Sequence, residues 1–110
     1  MTKKALSGPT IWVENIANLA AVTEATNGAS VETKWYKYKT VFVNITVNTG
    51  AVTVSIQASH DGTTWFTLDS KVHTAVETDV YSYNSHFPFM RTITATQSSS
   101  TVTTTITGGN

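Results

Sequence analysis

The sequence predicts an all-β protein: an antiparallel β-sandwich, jelly-roll or Ig-like, of about six to eight strands with an irregular N-terminal arm. Three observations predict it. Apolar and polar residues alternate over short runs, Gly and Asn turns separate those runs, and no long segment repeats apolar residues with the 3.6-residue period of a helix. At 110 residues, 40% hydrophobic, the chain suits a single domain. Residues 1–34 read as an N-terminal strand or arm and residues 35–110 as the sandwich body.

Within residues 1–34, positions 10–16 read as a first strand and the Ala-rich stretch 18–25 as one or two helical turns ending at Asn27-Gly28. An extended arm lying on a neighbouring subunit fits this stretch equally well. From Val41 the pattern sharpens. Val41, Val43, Ile45 and Val47 are β-branched and alternate with positions that include Asn44 and Thr46, as a half-buried strand requires. Asn48-Thr49-Gly50 supplies turn chemistry, and Val52, Val54, Ile56 and Ala58 then mark a second strand, expected to pair with the first as a hairpin. His60-Asp61-Gly62-Thr63 is the strongest turn signal, because Gly accepts positive φ and Asp bonds nearby backbone amides. Strands follow from Trp65, over residues 78–83, over 87–96 with Phe89, Ile93 and Ala95 in phase, and over 101–107 with Val102 and Ile106 in phase.

Seven basic side chains balance seven acidic ones, while Thr occurs 22 times, Ser 10 and Asn 7. The polar surface is therefore made mainly of hydroxyls and amides. Zero net charge leaves no electrostatic footprint for nucleic acid or acidic lipid, and Lys34, Lys37 and Lys39 are too few to change that. With no cysteine there is no disulfide framework, thiolate nucleophile or Cys-based metal site. The basic start Met1-Thr2-Lys3-Lys4 has no apolar run behind it, so no secretory signal is expected, and no run is long enough to span a membrane.

Catalytic sets are hard to assemble. His60, His73 and His86 are thirteen residues apart, but a meander would put His60 and His86 at one end of the sheet and His73 at the other, so no three-His zinc site is expected. Ser59-His60-Asp61 offers three suggestive residue types whose side chains diverge within one turn. Asp61, Asp69, Glu77 and Asp79 are scattered near turns. The expectation is a protein that is not an enzyme and takes no cofactor or metal.

Candidate contact residues are easier to name. Trp65 shares a strand face with Thr67 and Asp69, opposite Phe66 and Leu68, and either fills a second apolar layer or touches a partner. Arg91, in phase with Phe89 and Ile93, points by simple alternation toward the core side, where it needs an acceptor such as Asp61, Asp69 or turn carbonyls, unless a β-bulge returns it to solvent. Thr101, Thr103, Thr105 and Thr107, beside Thr92, Thr94 and Thr96, form a face of short neutral side chains that can bond to a partner without burying charge. Ile11, Trp12, Val13, Ile16 and Leu19 are the candidate partner contacts of the N-terminal segment.

The run 52–68, containing Ser59-His60-Asp61-Gly62-Thr63-Thr64-Trp65, followed by Phe87-Pro88-Phe89-Met90-Arg91, resembles small β-sandwich proteins of tailed bacteriophage virions. The resemblance spans residues 35–107 and rests on the Ser-x-Asp-Gly-x-x-Trp hairpin. It implies a non-enzymatic virion component made in the host cytoplasm, of the capsid decoration or cement type. Its expected partners are the major capsid protein and copies of itself, as a trimer or similar ring. Nucleic acid and membrane are not among them. A tail or fibre component, or a carbohydrate-binding module similar to discoidin domains, is the alternative.

Overall fold

The fold was taken from a computed structural model, which describes residues 4–6, 11–97 and 99–109. Its strands in chain order are β1 (Lys4–Leu6), β2 (Ile11–Val22), β3 (Val31–Glu32), β4 (Tyr38–Asn48), β5 (Val52–Ser59), β6 (Trp65–His73), β7 (Glu77–Tyr83), β8 (Phe89–Ala95) and β9 (Ser100–Gly109). One sheet has the order β1-β2-β9-β4-β7 and the other β3-β8-β5-β6, with every pairing antiparallel. Apart from the three-residue β1, these are two four-stranded sheets whose chain crosses between them at nearly every connection. That is the jelly-roll arrangement.

The β-branched stripes explain the core. Val41, Val43 and Ile45 of β4 and Val102 and Ile106 of β9 face Val52, Val54, Ile56 and Ala58 of β5 and Met90 of β8, all buried. Period-two burial is what a sheet packed on one face enforces. The predicted β4–β5 hairpin is not formed: β4 pairs with β7 and β9, and β5 with β6 and β8. The link at Asn48-Thr49-Gly50 carries the chain from one sheet to the other, so the two stripes meet face to face instead of side by side. The hairpin that does form joins β5 to β6 through the Asp61-Gly62 turn, with Gly62 at φ 83°.

The strand read over positions 10–16 is present as the first part of β2, and the rest of the N-terminal reading is corrected. Residues 18–22 continue that strand instead of forming helical turns, and β2 is no irregular arm: it pairs with β9 from Val13↔Gly109 to Val22↔Val102, so the sandwich body begins well before residue 35. Ala-rich helix propensity yields here to tertiary pairing. Register shifts around Ala17, Leu19 and Val22 bend the strand, and the Leu19 N–H is met by the Thr104 hydroxyl at 3.1 Å.

The phase of β8 is also the reverse of that predicted. Met90, Thr92 and Thr94 face inward, while Phe89, Arg91 and Ile93 lie on the outer side. Threonine is accepted in the interior because its polar groups are bonded. Thr92 Oγ1 donates to Asn18 Oδ1 at 2.6 Å and lies 2.6 Å from Thr104 Oγ1, and Thr94 Oγ1 accepts from the Thr26 N–H at 3.0 Å.

Candidate functional site

The outer face of the larger sheet is assembled by register. Thr105 sits beside Phe42 of β4, and Phe42 beside Val80 of β7. The same geometry aligns Thr107 with Thr40 and Ser82, and Thr103 with Asn44 and Thr78, while Asn15 and Ala17 of β2 flank Thr107 and Thr105 on the other side. Every one of these side chains is uncharged. Phe42 is 45% exposed and Val80 59%, so apolar surface stands among hydroxyls. The predicted threonine face is therefore half right: Thr101, Thr103, Thr105 and Thr107 belong to it, whereas Thr92 and Thr94 are in the interior of the opposite sheet.

The charges are elsewhere. At the flank where edge strands β6 and β7 approach, Lys71 Nζ lies 3.0 Å from Asp79 Oδ2, His73 Nδ1 bonds the Glu77 carboxyl, and the Tyr83 hydroxyl donates to Asp69. Asp69 reaches this flank because a bulge at Leu68 shifts the register between Gln57↔Thr67 and Ile56↔Asp69. The sequence-level face sharing of Trp65, Thr67 and Asp69 breaks there. His73 is buried.

Burial pushes the Tyr83 hydroxyl above the usual tyrosine range, with the Asp69 bond acting the same way, and Tyr36 is raised by burial and by Glu14. A folded-state value above the unfolded one contributes stability that is complete below the unfolded value, near pH 10, and is lost as pH rises above it. Lys39, lowered by burial, acts in the opposite sense below its unfolded value of 10.5, as one cation against these phenols. Urea midpoints measured from pH 8 to 11 should fall above about pH 10, and Tyr83→Phe should make that fall shallower. An unchanged slope in Tyr83→Phe would remove Tyr83 from this account.

The remaining predicted site residues separate. Leu19 is 1% exposed and so is not a surface contact, while Ile16 is half-buried and packs in part against the core. Ile11, Trp12 and Val13 contribute backbone to β2, and their side chains lie outside the described residues. Trp65 is half-buried on the outer side of the smaller sheet, with the Arg91 guanidinium 4.3 Å from its ring centre. Arg91 Nε donates to Gln57 Oε1 at 2.9 Å, and Gln57 Nε2 donates to Thr67 Oγ1 at 3.2 Å. The arginine thus finds its acceptor on the outside, and the ring face beneath it is covered.

Ser59 and Asp61 are committed to their turn. The Ser59 hydroxyl donates to Asp61 Oδ1 at 3.0 Å and accepts from the Gly62 N–H at 2.8 Å. Asp61 Oδ1 also accepts from the Thr63 and Thr64 amides, each at 2.8 Å, and these bonds, Thr64's foremost, hold its carboxyl well below the usual range. His60 Nε2 stands 3.7 Å from Asp61 Oδ2, out in solvent. His60 and His86 line an apolar hollow with Phe66 and Phe87, while His73 lies at the far end of β6. Among the described residues no group of three or more His, Cys, Asp or Glu is gathered to hold a metal ion.

No known protein family matches the chain, and no curated protein does. Its similarity is to solved folds. PirA aligns over 86% of this chain and 90% of its own at 18% identity with a TM-score of 0.54. A subunit of Bacillus endospore appendages, which form disulfide-linked pili, aligns over 98% of this chain and 90% of its own at 14% identity with a TM-score of 0.57. At such identities the shared property is the β-sandwich.

Proposed function

We propose that this chain is a non-enzymatic structural subunit that works through its outer surface, and that the assembly it belongs to is a phage particle, as a decoration protein bound to the head. The observation that carries the reading is the uncharged outer face of the β2-β9-β4-β7 sheet, where threonines surround exposed Phe42 and Val80. Burying such a face removes apolar area from water without stripping a charge of its hydration, and its hydroxyls keep partners available for bonding. The large sheet thereby offers repeated contacts, first to copies of itself in a trimer and then to the capsid lattice, where many modest contacts sum to firm attachment. The resemblance of the Ser59–Trp65 hairpin to virion proteins supports a phage particle as the setting, and the lattice-like contacts of the neutral face favour its head. Endospore appendages illustrate that a sandwich of this build can be a unit of assembly, and the phage setting rests on the hairpin alone.

The test is cosedimentation with heads of the encoding phage stripped of surface proteins, alongside the solution mass. The chain should run as an oligomer and saturate the heads at a fixed ratio. Phe42→Lys with Val80→Lys should keep the thermal midpoint within a few degrees, because both side chains already face solvent, while weakening head binding by at least about a hundredfold through like-charge and desolvation costs. A monomer that never sediments with heads would overturn the proposal.

A further inference from the structure

The lysines that the sequence spaces at 34, 37 and 39 converge on one end of the sandwich. Lys34, Lys37 and Lys39 line a cavity of about 410 Å³ together with Trp35, Tyr36 and the β7–β8 loop residues Asn84, Ser85 and His86. Three of the chain's seven basic side chains thus border a single hollow, and no carboxylate is among its lining residues.

Lys39 is the anomaly. It is 1% exposed, its Nζ donates to the Tyr36 carbonyl at 3.0 Å and the Ser85 carbonyl at 2.6 Å, and it lies 5.7 Å from the Phe87 ring centre. Among the described residues no carboxylate oxygen comes within ion-pair distance of it. A buried cation without a counter-charge is unfavourable, and burial accordingly pushes the ammonium below the usual lysine range. Lys37 Nζ rests 5.3 Å from the Tyr38 ring centre and Lys34 Nζ 4.9 Å from that of Trp35, so both are propped on aromatic rings at the cavity wall. Lys34 also meets Glu32 at 3.6 Å, in an exposed pair outside the cavity that an incoming anion can displace.

We infer that this cavity is a binding site for a small oxyanion of the phosphate class, contacted from its walls by Lys34, Lys37 and the polar residues of the 84–86 loop, with Lys39 supplying positive charge from beneath. The volume falls within the range of small-ligand pockets and exceeds what a bare phosphate fills, so the same site has room for a sugar bearing the anionic group.

Amide chemical-shift titrations at constant ionic strength, with inorganic phosphate in one arm and a monophosphorylated hexose in the other, test the inference. Saturable shifts confined to residues 34–39 and 84–86 are expected. Lys34→Ser with Lys37→Ser, both exposed and dispensable to the core, should weaken binding at least about tenfold. Lys39→Met, which keeps the side-chain volume, should fold and also bind more weakly. Equal affinity in the two arms assigns the site to the oxyanion alone, and tighter binding of the hexose phosphate assigns the spare volume to a sugar. Shifts that never saturate, or a double variant that binds like the parent chain, overturn the inference.

Discussion

Replacing Asn18 with alanine is expected to lower stability by roughly 3 kcal/mol, an effect large for a surface-strand amide and readable as a fall of on the order of 10–20 °C in Tm. The reason is its position. Asn18 projects from β2, in one sheet, and its Oδ1 accepts both the Thr92 N–H at 2.7 Å and the Thr92 hydroxyl at 2.6 Å from β8, in the other. Its Nδ2 donates to the Ala29 carbonyl at 2.8 Å. The bonds form a directed chain: Leu19 N–H to Thr104, Thr104 hydroxyl to Thr92, Thr92 hydroxyl to Asn18. Since Leu19, Thr92 and Thr104 are all buried, alanine leaves two donors of Thr92 without their protein acceptor. Gly28 packs so tightly here that an added Cβ would collide with the Asn18 side chain and stand 2.6 Å from the Thr92 carbonyl oxygen. Thermal unfolding of Asn18→Ala within about 0.5 kcal/mol of the parent chain would show that the clasp carries no such weight.

Gly108→Ala is expected to cost about 3–5 kcal/mol, combining forced displacement with a lost hydrogen bond. The Tyr36 ring lies directly against Gly108, where a Cβ would stand 2.6 Å from its Cγ and closer still to Cδ2. That ring positions the Tyr36 hydroxyl to donate to Glu14 Oε2, and Glu14 is buried with Oε1 unpartnered. The buried carboxyl therefore depends on one hydroxyl. Tyr36→Phe isolates the hydrogen-bond part and should cost about 2 kcal/mol, whereas Tyr36→Phe with Glu14→Leu should recover most of that, because removing both partners leaves nothing unsatisfied. Chemical denaturation of these three variants and of Glu14→Leu alone separates the parts. A double variant less stable than the sum of its singles would contradict the pairing.

Sequence reading succeeded where burial alone determines pattern. Val41, Val43 and Ile45 and then Val52, Val54 and Ile56 alternate because one face of each strand is buried, and the Asp61-Gly62 turn is local chemistry that any fold must respect. It failed where a distant partner decides. Asn48-Thr49-Gly50 suits a hairpin and a sheet-to-sheet crossing alike, and only the claims of β9 and β7 on β4 select the crossing. In β8 the bulky Phe89 and Ile93 suggested the inward face, but the inward places go to Thr92 and Thr94, whose hydroxyls meet Asn18, Thr104 and the Thr26 amide. Leu19 looked like a free contact because its pairing partner on β9 stands 85 residues away. For the candidate sites, the threonines of β9 were legible as a neutral face, yet their neighbours Phe42 and Val80 were not. Lys34, Lys37 and Lys39 were visible as a cluster, while the 84–86 loop that closes their cavity was not.

Strand β9 lies between β2 and β4 although β2, β4 and β7 all precede it in the chain. Until residues 100–109 arrive, nothing joins β2 to β4, and the larger sheet exists only as separate β1–β2 and β4–β7 pairs with the edges between them open. Closure of the sandwich is accordingly a late event in folding, on the millisecond-to-second scale typical of folds built from distant pairings. During that interval the unfilled slot accepts a matching strand from any molecule, so refolding at high concentration favours exchange of β9 between chains, and dilute refolding favours self-contained ones.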